Sequence, residues 1–181
     1  MKYLSILIVF FLGTLVHAQD EILDDGLDRN ELKLNASNLI AFEFLDGSYE
    51  YLINEESSIG FGILVNIGDD DVLDEYRTFS FTPFYRQFFS KKYAKGFFVE
   101  AFGMFNTGKD EYSDFIYDPY YESNEGTKYT DFALGISVGG KFVTKRGFVA
   151  EIYAGIGRNL MNGENAPEVV GRGGVSLGYR F

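Results

Sequence analysis

The sequence has no cysteine, only three prolines and a single histidine, His17. Without cysteine the chain can form neither a disulfide framework nor a zinc–thiolate site, and it has no residue for lipidation after an export signal. His17 lies in a segment that we interpret as a cleaved leader, so the mature chain is expected to have no histidine. This excludes His-dependent catalysis such as that of a Ser-His-Asp hydrolase. We predict that the protein is not an enzyme and that it holds no cofactor and no metal.

Positive charge is scarce as well. The chain has 16 Lys and Arg against 27 Asp and Glu, a formal net charge of −11. Nucleic acids require a basic surface, so this balance argues against a nucleic-acid partner. The acidic cluster from Asp69 to Glu75 could bind calcium, but it lacks the glycine and distal glutamate of a calcium loop, which favours a solvated loop over divalent bridging to surface lipid phosphates.

The N-terminus has the pattern of a signal peptide. Lys2 precedes an apolar stretch from Tyr3 to Val16, and Ala18 supplies the small residue of a cleavage site. The stretch is shorter than the roughly 20 residues that a spanning helix needs, which disfavours the alternative of a membrane anchor. We predict a signal peptide over residues 1–18, an N-terminal periplasmic segment over 19–31 and one domain over 32–181.

Glycine and aromatic residues are abundant: 21 Gly, 19 Phe and 13 Tyr. About eight segments of roughly ten residues alternate apolar and polar positions, most clearly from Ile59 to Ile67. The first runs from Leu32 to Phe44, and Asp46-Gly47 then predicts a tight hairpin. Strands of transmembrane barrels alternate in this way and average to neutral hydropathy, and the mean hydropathy here is −0.08. The predicted fold is all-β: a single antiparallel up-and-down transmembrane β-barrel of about eight strands.

The connections sort by length, as they do in outer-membrane barrels. Short turns near Glu55, at Ser90–Lys95 and at Lys145 fall on one side, which we predict to be periplasmic. Longer loops fall on the other side: Asp69–Glu75, Thr107–Lys128 and Leu160–Val170. The outward aromatics predict two interfacial girdles. The inner one holds Phe97, Phe142, Phe148, Tyr179 and Phe181, and the outer one Phe42, Phe44, Tyr49, Phe79, Phe105 and Phe132.

A barrel of eight strands has a lumen that side chains can fill. The inward charged positions predict a structural network in preference to a proton or ion path; its members are Glu43, Glu50, Arg86, Glu100, Lys141, Glu151, Arg172 and Arg180. We expect Glu100 to pair with Arg86, and Glu151 with Lys141 and Arg180. The predicted hairpin sets Glu43 opposite Glu50, where like charges cost stability. We expect Arg172 between them, with a bound cation or a protonated carboxylate as the alternative.

The last strand sets Val175, Leu177, Tyr179 and Phe181 on one face, alternating with Gly174, Ser176, Gly178 and Arg180. This arrangement resembles the C-terminal recognition strand of outer-membrane barrel proteins, whose terminal Phe is read by the insertion machinery. With the leader and the other strands, the chain resembles the small OmpA/OmpX-like outer-membrane β-barrel family, and most closely its uncharacterised members. The resemblance implies an outer-membrane location in a Gram-negative cell, with outer-membrane lipids and the barrel-insertion machinery as partners. Barrel enzymes of this size class use a catalytic His, which the mature chain would lack.

We therefore expect a non-enzymatic, monomeric outer-membrane barrel with a structural or adhesion-like role, in which the external loops carry any contact with a surface ligand or protein. The alternative is a soluble periplasmic, lipocalin-like barrel that binds a small apolar ligand. The two differ in which face is apolar. A lipocalin-like barrel would point Phe61, Ile63, Ile136 and Ile152 inward and the charged residues outward.

Overall fold

The computed structural model describes residues 28–68, 77–90, 92–110, 127–161 and 166–181. They form eight strands and one short helix: β1 Asn30–Asn35, α1 Ala36–Phe42, β2 Phe44–Leu52, β3 Ser57–Asn66, β4 Phe79–Phe88, β5 Gly96–Asp110, β6 Thr127–Val143, β7 Phe148–Asn159 and β8 Val169–Arg180. No helix in these ranges is long and apolar enough to cross a membrane. The predicted signal peptide and the acidic cluster at Asp69 lie outside the described residues.

The strands close into an antiparallel barrel in which each strand pairs with its neighbours in sequence. Closure joins β1 to β8, with Glu31 opposite Arg180 and Asn35 opposite Ser176. Just beyond β8, Phe181 and Asn30 exchange two backbone hydrogen bonds, of 2.8 and 3.0 Å. The predicted eight-stranded antiparallel barrel is confirmed.

The first hairpin differs from the prediction. Asp46 and Gly47 are not a turn but lie within β2, where Gly47 pairs with Leu34 on β1 and with Ile63 on β3. The connection is α1 instead. Asn35 caps this helix by accepting a hydrogen bond from the Asn38 backbone N–H (3.1 Å). The prediction failed because a local two-residue signal was given more weight than the register that barrel closure imposes.

The strand ends define two ends of the barrel. The turns 53–56, 89–95 and 144–147 share one end with both chain termini of the barrel, which we call the turn end. The opposite end, the loop end, carries α1 and the longer connections. The predicted loop Thr107–Lys128 is shorter than expected, because β5 continues to Asp110 and β6 begins at Thr127. β1 begins at Asn30, so Glu31 belongs to the barrel and not to the predicted segment 19–31.

The outward face of the barrel is apolar. Ile59, Phe61, Ile63 and Val65 alternate along β3 with inward positions and are each 38–48% exposed. Two residues of the predicted outer girdle are placed differently. Phe44 points inward and is 7% exposed, because α1 shifts the pairing of β2. Tyr49 faces outward but pairs with Leu32, nearer the turn end.

Candidate functional site

The inward positions of the described strands bring four glutamates and five cationic side chains together in the lumen. We call this set the lumen network: Glu31, Glu50, Glu100 and Glu151, with Lys33, Arg86, Lys141, Arg172 and Arg180. None of these side chains is more than 10% exposed. Charges buried to this degree must be paired, because an isolated ion in a low-dielectric interior is very costly.

Arg86, on β4, is the centre of the network. Its Nε donates to Glu100 at 2.6 Å, and its Nη1 donates to Glu50 at 2.9 Å and to Glu151 at 2.7 Å. The guanidinium carbon lies 4.5 Å from the ring centre of Phe84 and 4.4 Å from that of Phe98, within range of cation–π attraction. One side chain therefore connects carboxylates from β2, β5 and β7.

Two lysines complete the centre. Lys33 Nζ donates to Glu50 and to Glu151, the latter at 2.9 Å. Lys141 Nζ donates to Glu50 at 2.6 Å and to Glu31 at 2.7 Å. Glu50 thus accepts from three cations, and its Oε1 also accepts from the Ser58 hydroxyl at 2.6 Å.

Two arginines of β8 extend the network toward the two ends of the barrel. Arg180 binds Glu31 through Nε (2.8 Å) and Nη2 (2.6 Å) near the turn end. Arg172 Nη1 donates to Glu100 nearer the loop end. Pairs that use two donors of one guanidinium are the stronger and more directional kind, so the Arg180 contact also fixes β8 against β1.

Lumen-facing glycines make room for the rings that pack against the arginines. A Cβ on Gly60 would lie 2.5 Å from the Phe84 ring, and one on Gly139 would lie 2.5 Å from the Phe98 ring. Both distances are too short for a real contact. Glycine at these inward positions therefore allows each ring to approach the backbone of the neighbouring strand closely.

The turn between β4 and β5 closes the turn end of the lumen. Ala94, which is completely buried, packs with Leu52, Phe88, Phe98 and Tyr153. Its backbone N–H donates to the Glu55 carbonyl at 2.7 Å, and its carbonyl accepts from Arg180 Nη2 at 2.9 Å. At this end the lumen is filled by side chains and by the turn itself.

The loop-end half of the lumen is less filled. A second apolar cluster of Phe84, Phe102, Met104, Ala133 and Val170 lies there. Beside it is a cavity of about 260 Å³ whose lining includes Arg172 and Asp46. Among the described residues, the lumen therefore has one half that contains most of the charges and another half that contains this cavity.

Glu43 lies away from the position we predicted. It follows α1 with a left-handed backbone (φ 55°) and is exposed, so it does not face Glu50. On β1 the residue opposite Glu50 is Glu31. Lys141 donates to both of these carboxylates and so offsets their repulsion. The Glu43–Glu50 contact that we expected Arg172 to bridge does not form, and Arg172 binds Glu100 instead. The error follows directly from the misplaced hairpin.

The other predicted residues lie inside the lumen, with some changes of partner. Arg86 and Glu100 contact each other. Lys141 and Glu151 are neighbours across β6 and β7, but their side chains have other partners. Lys141 binds Glu31 and Glu50. Glu151 binds Lys33 and Arg86. Arg180 contacts Glu31 in place of Glu151.

Sequence reasoning missed Glu31 and Lys33 as members of the network. Both have the inward parity of β1, two residues apart, on the face opposite Leu32 and Leu34. Extending the period-two pattern back by two residues from Leu32 would have included Glu31. Glu31 was missed because the predicted strand began at its first apolar residue. Lys33 lies on the polar face of the predicted strand but was not included among the expected charged partners.

The last strand places Val175, Leu177, Tyr179 and Phe181 on the outward face, each between 42% and 52% exposed. Arg180, on the opposite face, lies in the lumen. The Tyr179 ring packs edge-on against Phe148 of β7, with 5.7 Å between ring centres. The final strand thus continues the apolar outer surface up to the chain's last residue.

The barrel is similar to the N-terminal β-barrel domain of Pseudomonas aeruginosa OprF, which aligns over 87% of this chain and 100% of that chain with a TM-score of 0.59. The two chains share a fold. Their sequence identity is 12%, so the likeness concerns the fold alone. No protein-family model matches this chain, and no curated protein matches it.

No group of three or more His, Cys, Asp or Glu in the described ranges is placed to hold a metal ion. Each carboxylate of the lumen network is bonded to Lys or Arg. What the network does chemically is to neutralise itself and to cross-link the strands around the barrel.

Proposed function

We propose that the protein is a monomeric, non-enzymatic barrel of the Gram-negative outer membrane. The observation that carries the proposal is that the barrel is apolar on its outward face and charged inside, the reverse of a soluble protein. Residues such as Phe61, Ile136 and Ile152 face outward, while the nine charged groups of the lumen network are buried inside. A closed barrel satisfies all its backbone groups between strands, as a hydrocarbon environment requires. The similarity to the OprF β-barrel domain supports the same reading.

The lipocalin-like alternative is not favoured. It requires an apolar lumen, and the structure places Glu100, Glu151 and Arg86 there with exposures of 2% or less. A soluble barrel would also leave the apolar outward face in water, where an apolar surface of this extent is a liability.

We assign the turn end to the periplasm and the loop end to the cell exterior, with outer-membrane lipids and the insertion machinery as partners. The insertion strand would be Val175, Leu177, Tyr179 and Phe181. Any surface interaction would then belong to the connections of the loop end, which hold the acidic and Tyr-rich segments between 69 and 76 and between 111 and 126. Tyr is favoured in recognition surfaces, which supports an adhesion-like role.

Membrane integration is the first prediction. We expect the protein to remain in the membrane fraction until detergent is added and to migrate at different positions on gels before and after boiling. In planar bilayers the folded protein is expected to form no large, stable channels, because the turn end is closed by side chains. Recovery in the soluble fraction without detergent would contradict the proposal, and large channels would contradict the closed lumen.

The surface role has its own test. Residues 112–125 would be replaced by a Gly-Ser segment of equal length, with a matched variant that replaces the short turn Lys145–Arg146 at the opposite end. We expect the first variant to insert normally but to reduce aggregation of the expressing cells and their attachment to a surface. The turn variant should behave like the parent. Equal attachment by all three proteins would rule out an adhesive role for this loop.

A further inference from the structure

The cavity in the loop-end half of the lumen lies between the lumen network and the strand ends. Three of its lining residues, Phe44, Ser80 and Gly171, are the first, second and third residues of β2, β4 and β8. Arg172 separates the cavity from the network, because the same guanidinium lines the cavity and donates to Glu100 through Nη1. The cavity therefore occupies the layer of the lumen next to the loop-end rim.

Two hydroxyl groups in this cavity have no hydrogen-bond partner among the described residues. Ser80 and Thr82 are inward residues of β4, 2% and 3% exposed, and both line the cavity. Neither side-chain oxygen is sealed off by protein atoms, so both contact the space of the cavity. Because buried polar groups are almost always hydrogen-bonded, the partner of these hydroxyls must come from what fills the cavity.

A carboxylate oxygen of the lining has no donor among the described residues either. Asp46 Oδ2 accepts from Asn35 Nδ2 at 2.9 Å and from Asn38 Nδ2 at 2.8 Å, which fixes the carboxylate on the cavity wall. Its Oδ1 accepts no hydrogen bond from these ranges of the chain. The cavity thus offers hydroxyls, which donate and accept, together with an oxygen that only accepts.

Part of the cavity wall is apolar. Phe44, Leu64 and Met104 line it and are at most 7% exposed. The volume lies just below the roughly 300–1,000 Å³ of pockets for drug-sized ligands, so it suits a molecule of about a dozen non-hydrogen atoms. A ring with hydroxyl groups around its edge and C–H groups on its faces matches both kinds of wall.

The charge balance of the interior favours a neutral ligand. The lumen network has five cations and four carboxylates, and Asp46 on the cavity wall offsets the difference. Arg77 and Asp131, which are 5% and 0% exposed, are opposite in charge. The charged groups of the described interior therefore sum to zero, and a charged ligand would be buried there without a counter-ion to neutralise it.

We propose that this cavity binds a neutral polyhydroxylated ring of monosaccharide size. Its hydroxyl groups hydrogen-bond to Ser80, Thr82 and Asp46 Oδ1, and its C–H face lies against Phe44 and Met104. The inference goes beyond the proposed function, which assigns surface contacts to the external loops and not to the lumen. It depends on the proposed function only for the source of the ligand, the cell exterior.

Two methionines of the described residues provide a reporter and its control. Met104 lines the cavity and is 1% exposed, whereas Met161 lies just beyond β7 and is 66% exposed. The barrel, isotope-labelled at the methionine methyl groups and folded in amine-oxide micelles that contain no sugar, would be titrated with D-glucose, D-galactose, D-mannose and myo-inositol. We expect at least one probe to shift the Met104 signal saturably, with a Kd on the order of 1 mM for a ligand of this size, and to leave Met161 unchanged. If none of the four shifts Met104 saturably, the cavity holds water alone and the inference is overturned.

Charge selectivity tests the class of ligand. Glucosamine and glucuronate have the same ring as glucose and add one charge, positive or negative. We expect each to bind at least about tenfold more weakly than the best neutral probe, because its charge has no counter-ion in the cavity. Equal or tighter binding of either, or of the zwitterion serine, would overturn the assignment to a neutral polyol.

A hydroxyl deletion tests the proposed contacts. Thr82→Val removes one cavity hydroxyl with little change of shape, and Thr130→Val makes the same change at an exposed position of β6. We expect Thr82→Val to weaken binding about three- to tenfold, the effect of one hydrogen bond, and Thr130→Val to leave it unchanged. Both variants should unfold like the parent, since neither hydroxyl has a partner in the described residues, so that weaker binding is not a sign of misfolding. Equal binding by the two variants would remove Thr82 from the site.

Cavity filling supplies a second matched pair. A Cβ on Gly62 would make only ordinary contacts, at 3.6 Å or more, and would occupy the cavity. Gly140 faces outward, where the nearest atom to a Cβ would be 4.0 Å away. We expect Gly62→Val to weaken binding at least about tenfold and Gly140→Val to leave it unchanged, and equal binding by both would overturn the site. A barrel that integrates but binds no probe overturns this inference alone, whereas failure to integrate overturns the proposed function.

Discussion

Replacing Arg86 with methionine is expected to destabilise the barrel by about 3–5 kcal/mol, the cost of removing one partner from a buried ionic contact. Arg86 is 1% exposed and donates to Glu50, Glu100 and Glu151. Methionine preserves the apolar stem but leaves three buried carboxylates with one cation fewer. The free energy of unfolding in urea, measured on protein folded into vesicles, gives the effect.

Arg146→Met is the matched control, since Arg146 lies exposed in the turn between β6 and β7. An exposed charge of this kind contributes little, so its loss should change the stability by less than about 0.5 kcal/mol. A further variant, Arg86→Met with Glu100→Gln, removes one of the carboxylates left without Arg86 and should recover part of the loss. If Arg86→Met costs no more than Arg146→Met, the network does not hold the strands together.

The network also explains which parts of the interior could be predicted. Arg86, Glu100, Lys141 and Glu151 lie in strands whose period-two pattern is unambiguous, so their inward direction follows from the sequence. The partners that these side chains bind do not follow from the sequence. Lys141 binds Glu31, 110 residues away, across the lumen. Such a contact depends on the register of every intervening strand and on side-chain lengths across a closed barrel, and no local pattern contains that information.

The first hairpin shows how local signals can conflict. Asp46-Gly47 is a strong turn dipeptide by itself, but the strand pairing on both sides of β2 includes these residues. The signal for α1 was present in the same region. Leu39 and Ile40 are adjacent apolar residues that interrupt the alternation, and Asn35 is a favoured helix cap. The prediction followed the alternation through this segment, and Glu43 was misplaced as a result.

Gly135→Ala is the second change expected to have a large effect, a loss of about 3 kcal/mol, the upper end of the usual cost of overpacking. Gly135 faces the lumen from β6. A Cβ there would lie 2.3 Å from Phe102 Cζ, 2.5 Å from the Ile156 carbonyl oxygen and 2.7 Å from the Gly157 Cα. Two of these three atoms are backbone atoms of β7, fixed by the pairing of Gly135 with Gly157. A ring can rotate away, but the strand cannot move without breaking its ladder.

The same substitution at Gly140, on the same strand but facing outward, should be neutral or slightly stabilising, because alanine restricts the unfolded chain more than glycine does. Unfolding in urea compares the two variants directly. Replacing the Phe102 ring with the smaller leucine side chain (Phe102→Leu) in the Gly135→Ala background separates the contact with the ring from the contacts with the β7 backbone. We expect only partial recovery, because the contacts with Ile156 and Gly157 remain. Full recovery would mean that the ring alone requires glycine at this position and that the spacing of β6 and β7 can adjust.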